Sequence, residues 1–500
     1  MKNKATKISL FSFVLMVLIS TFGFNNTGIA YRQMGYSSII WYLLMAVIFF
    51  LPCGLMFAEY GSAFKDEHGG IYSWLKGSVG EKTAFIGTFT WYASWIVWMI
   101  SMSPKIWIPF STLLSGHDST QTWHIFDLSP TATVGVLAIL WMILVTWCDS
   151  KGIKSITRIS SIGGSFIVMV VVVFCLASLA LLLINHGQLA EPLHNVTDFT
   201  KSPNPNFQTK ISIISFITYV MFAYGGIESL GGMIDKLKNP AQNFPLGIVI
   251  GAVAIAVTYA GTIFLCGVST NWTKVLGNNY VNLGNVLYVI INNLGYTLGK
   301  SLGLTSGTSV IIGNSFDRFA GLSLWLGYGG SFFVLLYSPL KSFIMGASKH
   351  LLPYNLVKLN KHQMPANAMW IQAGIVIVIL MMISFGGHDS QKYYLILTDM
   401  TNLSMAFPYL FLVGAFPFFK RKTFLTRPFV FFKTKWSTDV ISLIVLTTLV
   451  IGMLFTIWEP LIEHDYVTAF WTAIGPVFFS AIAWLWYHHQ EKQNLKTYLK

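Results

Sequence analysis

The sequence predicts an all-α polytopic membrane protein of about twelve transmembrane helices, arranged as a 5+5 inverted repeat plus two extra helices. Three observations carry that expectation. Of the 500 residues, 54% are hydrophobic and only 10% are charged. The apolar residues gather in runs of about twenty, the length that crosses a hydrocarbon core as helix. The first and sixth runs also echo each other. Ser12 and Phe13 precede Phe22 and Gly23 at about the spacing with which Ser215 and Phe216 precede Tyr224 and Gly225, and four further runs follow each. A repeat with an odd number of spans enters the membrane from the opposite face, so its second copy is inverted.

Taken in order, the run Ile8 to Ala30 follows Lys2, Lys4 and Lys7. It lacks a small-residue cleavage site and turns polar midway, so it reads as a retained helix. Ser37 to Phe64, Thr83 to Leu114, Ser129 to Cys148 and Ile159 to Ile184 complete the first repeat, residues 1–184. An outer loop rich in Pro and Asn, 185–210, leads to the second repeat, 211–419, which opens with Ile211 to Ile234 and Pro245 to Val268. The connection Ser269 to Arg318 carries a further apolar stretch, Val286 to Leu294, too short to span and read as interfacial or re-entrant. Phe319 to Ala347, Ala368 to Phe385 and Tyr393 to Phe419 finish the repeat. Residues 420–500 hold the extra spans, Asp439 to Trp458 and Val467 to His488, and a short tail.

The formal charge of +13 invites a nucleic-acid reading, but the basic residues spread over alternating loops, so no nucleic-acid partner is expected. With a cytoplasmic amino terminus, one side collects Lys65, Lys76, Lys82, Lys151, Lys154, Arg158, Lys236, Lys238, Lys349, Lys358, Lys361, the group from Lys420 to Lys435 and the tail lysines. The other keeps mainly Arg32, Lys201, Lys210, Lys274, Lys300, Arg318 and Lys392. That bias of roughly three to one obeys the positive-inside rule and places both termini in the cytoplasm of a multi-pass plasma-membrane protein.

Cys53, Cys148, Cys175 and Cys266 sit in or at apolar runs without metal spacing and read as packing residues, with no disulfide framework. The eleven histidines fall in loops, tails or span ends, so no metal site is expected. The sequence has neither a P-loop nor a dinucleotide fingerprint, and no cofactor is expected. No nucleophile with a base stands within the spans, which argues against an enzyme, and the chain shows no soluble signalling domain or selectivity-filter pattern. What remains is transport driven by gradients, with a small-molecule substrate and the lipid bilayer as partners.

The candidate site lies at the two echoing spans. In the first, hydroxyls, amides and glycines accumulate from Ser20, Thr21, Phe22 and Gly23 to Gly28; in the sixth, Phe222, Ala223, Tyr224, Gly225 and Gly226 interrupt an apolar run. One reading is close packing through small residues, with hydroxyls bonded back to carbonyls. The other is a pair of helix breaks at the repeat interface, where non-helical backbone is tolerated because it lines a cavity. The free N–H groups and positive dipole end of a half-helix suit a carboxylate, and the free carbonyls of its partner half suit an ammonium, so such a site reads a zwitterion. Phe22, Phe222 and Tyr224 flank the breaks as covers, or as packing. Glu228 is expensive in a membrane and stands as a proton carrier or pH sensor, or as a brace that bonds exposed carbonyls. Glu59 and Lys341 are expected to snorkel at the inner interface, Lys105 and Asp399 to take structural pairings ahead of standing as pathway residues, and Thr398, Asn402 and Ser404 to face the cavity.

These residues resemble a known family. Phe222 to Glu228 followed by Asp235, Asn239, Pro240 and Pro245 is similar to the sixth-helix motif of the amino acid–polyamine–organocation transporters. Ala58, Glu59, Gly69, Gly70, Ile71, Tyr72, Ser73, Trp74 and Gly80 resemble that family's loop after the second helix. Ser338, Pro339, Leu340 and Lys341, with Leu352, Pro353, Pro365 and Gln372, resemble the one after the eighth. The likeness covers nearly the whole chain and is nearest to the glutamate/GABA antiporter branch, in particular its YjeM-type inner-membrane members. It implies a central site between the first and sixth helices and alternating access by rocking of a helix bundle. Carried over by position, Ser20, Thr21, Phe22 and Gly23 bind the substrate backbone from one side and Phe222, Ala223, Tyr224, Gly225 and Gly226 from the other, while Glu228 matches a glutamate linked to pH response. Two departures bear on mechanism. The branch's long carboxy-terminal plug is replaced by a short tail after His489, and Ile167 stands where some proton-coupled relatives place a lysine. The expectation is therefore an amino acid or amine exchanger, monomeric or homodimeric, with proton-coupled symport and a non-transporting nutrient sensor as alternatives.

Overall fold

In hydrocarbon each backbone N–H and C=O needs a partner within the chain, so a sequence of this hydropathy folds as helices. The computed structural model describes residues 8–65, 67, 70–228, 230, 237–387 and 389–498, and these are helical apart from turns, loops and one parallel bridge between Ile8 and Leu237. Lys2, Lys4, Lys7, Gly69, Asp235 and Lys236 lie outside the described residues, as do the side chains of Lys154, Arg158 and Lys349.

The chain begins with α1 (Leu10–Thr21) and α2 (Phe24–Met34), followed by α3 (Ser37–Met45), a π-helical turn (Ala46–Phe50) and α4 (Leu51–Ala63). Next come α5 (Ile71–Val79), α6 (Glu81–Lys105), α7 (Trp107–Ser115), α8 (Pro130–Asp149) and α9 (Ile153–Ile184). The second half runs through α10 (Lys210–Ala223), α11 (Pro240–Ser269), α12 (Val286–Ser301), α13 (Ser306–Gly346), α14 (Tyr354–Val357), α15 (Ala366–Ser384), α16 (Ser390–Ala406) and α17 (Pro408–Arg421). It closes with α18 (Lys435–Ile462) and α19 (Tyr466–Tyr498). Helix starts are set by short polar side chains: Ser129, Thr209, Thr305, Asp389 and Thr434 each accept a backbone N–H of the first turn.

Nine helical stretches among the described residues are long and apolar enough to cross a membrane, and they coincide with nine of the expected spans. The first and sixth fall short because they are interrupted. The third, α6, falls short because Trp91, Tyr92, Trp95, Trp98 and a series of serines and threonines dilute it. Nearly all of α6 is buried, packed against α5, α13, α15, α16, α17 and α19, so it has no need of a lipid-facing aliphatic stripe.

Two boundaries differ from the sequence reading. The stretch at Val286 to Leu294 belongs to a 16-residue helix, α12, that lies along α13 and against α2 and α9. At Gly28 of α2 a Cβ would come within 3.0 Å of the Leu287 backbone, which is why a glycine stands there. Helix α13 starts at Ser306, well before Phe319, and its 41 residues exceed what the bilayer requires. The polar residues between 306 and 318 broke the apolar run but not the helix, because Thr305 caps it and α12 shields it.

Candidate substrate site at two broken helices

Helix α1 stops at Thr21 because Phe22 and Gly23 are extended (φ −74°, ψ 111° and φ −102°, ψ 107°), and α2 restarts at Phe24. Helix α10 stops at Ala223, and Gly226 just beyond it has φ +118°, a conformation that favours glycine. The two breaks touch: a Cβ on Gly226 would lie 2.6 Å from the Ser20 carbonyl oxygen. At Gly225 a Cβ would meet the Phe222 carbonyl at 3.1 Å.

The backbone groups freed by the breaks converge on Tyr259 of α11. Its hydroxyl donates to the Ala223 carbonyl at 3.0 Å and accepts from Gly23 N–H at 3.0 Å and Asn26 Nδ2 at 3.2 Å. Phe22 lies against the same ring, centroids 4.7 Å apart. Tyr219 adds a second tie from α10 to α2, donating to the Asn26 carbonyl at 2.9 Å. Sequence reading missed Tyr259, whose only signal is one hydroxyl in an apolar span.

Glu228 is buried, and three donors meet its carboxyl group: Tyr409 OH at 2.6 Å and Gly226 N–H at 2.9 Å on Oε2, and Trp91 Nε1 at 3.3 Å on Oε1. The expected brace is present in geometry but with opposite polarity. Glu228 accepts from N–H and O–H groups, and among the described residues its carboxyl group makes no bond to an exposed carbonyl.

The remaining residues separate into those near the cavity and those turned away. Thr21 Oγ1 is buried without a partner among the described residues, and Ser20 Oγ bonds back to the Val17 carbonyl at 3.1 Å. Tyr224 is fully buried, stacked on Phe50 at 4.5 Å with its hydroxyl on the Tyr42 carbonyl, so its side chain packs the scaffold. Phe222 is the only one of the nine expected substrate-binding residues to line a small cavity of about 30 Å³ beside the breaks. Asn25, Asn26 and Ile29 of α2, and Tyr219 of α10, share that lining. Trp98, Ser101, Met102 and Lys105 of α6 face Thr398, Thr401 and Asn402 of α16 across it. A larger recess of about 530 Å³ lies among α12, α13 and the turn at 272–276, away from both breaks. Size alone favours that recess, but the free backbone ends favour the smaller cavity.

Three expectations need correction. Glu59 does not snorkel: it is fully buried and ion-paired with Lys420 at 2.6 Å, because Phe431 and Phe432 N–H groups complete its acceptor shell at 2.9 Å. Lys105 does not ion-pair with Asp399 but donates to Ser101 Oγ at 3.2 Å and Thr398 Oγ1 at 3.0 Å. Ser404 turns from the cavity, toward Gly475 of α19, where a Cβ would sit 2.4 Å from its hydroxyl; a glycine makes that room. Lys341 is exposed, its ammonium 5.5 Å from the Tyr337 ring.

Residues 6–482 match the family model described as amino acid permease. The chain belongs to the amino acid permease family. The permease is 47% identical to the inner membrane transporter YjeM of Escherichia coli (strain K12) over 97% of its own length and 96% of that protein. The glutamate/gamma-aminobutyrate antiporter of Lactococcus lactis (strain IL1403) is 24% identical over 78% of the permease and 72% of that chain. A probable agmatine/putrescine antiporter of the same organism is 25% identical over 55% and 54%. These relatives are transporters, not enzymes. Family and helices together make the permease a multi-pass membrane transporter of amino acids or related amines.

Proposed function

We propose that the permease is a secondary active exchanger that moves an amino acid or related amine across the cytoplasmic membrane by alternating access, with the substrate held between the α1–α2 and α10 breaks. The apposition of Gly226 and Ser20 supports this most directly, since it joins two non-helical segments within spans where unpaired backbone is costly. On this reading Ser20, Thr21, Phe22 and Gly23 contact the substrate from one side and Phe222, Ala223, Tyr224, Gly225 and Gly226 from the other. The Tyr259 hydroxyl holds the place where substrate polar groups would meet Gly23 N–H and the Ala223 carbonyl. Residues 1–184 and 211–419 are the two inverted repeats, and both termini are cytoplasmic.

Exchange is favoured over proton symport because Ile167 is a packing residue: a Cβ at Gly327 of α13 would fall 2.4 Å from its side chain. Glu228 is the group through which pH would act. A proton on one oxygen adds a donor where three donors already converge and removes the charge that strengthens the bonds from Gly226, Tyr409 and Trp91. Cys53 of α4 and Tyr409 of α17 are the titratable groups beside it among the described residues. The relatives' names span anionic, zwitterionic and cationic substrates, so the test is broad. Proteoliposomes preloaded with unlabelled amino acids and amines are to be assayed for uptake of a labelled panel. Uptake that requires internal substrate supports exchange; no uptake of any member under a pH gradient overturns the proposal.

A further inference from the structure

We propose that the cavity between α2, α6, α10 and α16 is the distal subsite of the substrate site, and that Lys105 is its specificity determinant, receiving a carboxylate at the far end of an amino acid. The inference rests on the reading of the two breaks as the substrate site and extends it to the second charge of the substrate.

Four observations converge. Lys105 is only 7% exposed and is the sole charged residue lining the cavity among the described residues. Its ammonium donates to two neutral hydroxyls, Ser101 and Thr398, which leaves one of its three N–H groups for a ligand. Among the described residues no carboxylate lies within ion-pair distance of it; Asp399 acts on it only through space and is not part of the cavity wall. The Oδ1 atoms of Asn402, 2% exposed, and of Asn25 are buried without partners among the described residues, and both residues line the same cavity. An amide can present either end, so these two can serve the ligand's ammonium or its carboxylate.

A buried ammonium set on hydroxyls is costly without an anion, and in a transporter a transient anion is the cargo. Position agrees with charge. Phe222 on the wall directly precedes Ala223 of the second break, and Asn25 follows Gly23 of the first, so a molecule held at the breaks directs its far end toward Lys105. The last turn of α6, which contains Pro104, also favours a cation there by its dipole.

The experiment is counterflow in proteoliposomes with labelled glutamate, aspartate, glutamine, leucine and putrescine, using the wild type, Lys105→Gln, Lys105→Arg and Asn402→Asp. Thermal stabilisation of each purified protein by glutamate against glutamine serves as a readout independent of turnover. The expected result is a wild-type preference for the amino dicarboxylates that falls by roughly 10- to 100-fold in Lys105→Gln, the loss of one charge-assisted hydrogen bond. Glutamine exchange should be retained in that variant, and Lys105→Arg should keep part of the preference. Asn402→Asp, which supplies an internal carboxylate, should selectively weaken the dicarboxylates. A wild type that prefers neutral or cationic substrates, or a Lys105→Gln variant that weakens all substrates equally, overturns the subsite while the exchanger stands. A wild type that exchanges nothing overturns the reading of the breaks itself.

Discussion

Tyr409 on α17 donates its hydroxyl to Glu228 at 2.6 Å, and through Glu228 it governs the backbone of Gly226. A residue 181 positions along the chain thereby fixes the non-helical turn that Gly226 and Glu228 share. Removing the donor in Tyr409→Phe leaves a buried carboxyl oxygen with one partner fewer, at about 1.5–3 kcal/mol for a hydrogen bond to a charged group. The expected outcome is a lowered thermal midpoint in detergent and weaker substrate binding. Glu228→Gln should be worse, because its amide brings an N–H toward groups that are themselves donors. If Glu228 also carries the pH response, the residual transport of Glu228→Gln loses its pH dependence. A pH profile of uptake separates the roles: an unchanged shape at reduced rate leaves Glu228 a brace only.

Gly226 offers a cleaner test of the breaks. In Gly226→Ala the new methyl would have to occupy space 2.6 Å from the Ser20 carbonyl at φ +118°, so left-handed strain and overpacking add to roughly 2–5 kcal/mol. Gly374→Ala on α15 meets nothing within 4 Å and should be neutral or slightly stabilising, by up to about 1 kcal/mol. The check compares substrate-induced thermal stabilisation in the two variants. Binding retained in Gly226→Ala would show that the breaks need not touch.

What could be read in the sequence depended on whether a residue's meaning was local. Gly225, Gly226, Phe22 and Gly23 announced the breaks because glycine and polar groups at membrane depth disturb a helix wherever they occur. Glu228 announced itself as expensive, but not its polarity, because its partners Tyr409 and Trp91 stand 181 and 137 residues away. Lys105 sits inside an aromatic run that leaves structural pairing and pathway roles open, because only the fold brings a hydroxyl of α16, and not Asp399, to its ammonium. Tyr259 gave almost no signal, since a tyrosine in an apolar span is ordinary and only folding sets its hydroxyl between two chain breaks. Glu59 was misread for the same reason: its proximity to an interface was visible, but the segment that folds over it was not.

The Glu59–Lys420 pair makes a further prediction. It joins the end of α4 to the end of α17, and the Phe431 and Phe432 amides bring in the segment before α18. Lys420→Met should destabilise by roughly 3–5 kcal/mol, because it strands a buried carboxylate. Adding Glu59→Gln should return part of that loss, and the non-additivity measures the pair. Burial shields the contact from salt, so thermal midpoints of wild type and Lys420→Met should differ by a similar amount at low and high ionic strength. A gap that collapses in high salt would indicate an exposed pair.

The connection between α18 and α19 predicts a pH effect of defined sign. Burial pushes the Asp465 carboxyl up, but Lys392 at 2.8 Å and the hydroxyl and N–H of Thr468 outweigh it, so the group titrates below its ordinary value of 3.8. A depressed native value means that the folded protein holds fewer protons than the unfolded chain. The contact therefore stabilises the fold fully above 3.8, and that contribution is lost as pH falls through the lower native value. Thermal unfolding followed from pH 6 downward should show wild type above Asp465→Asn at the top of the range and the two curves converging below about pH 3.8. Curves that run parallel through that range would mean the Lys392 contact does not persist in solution.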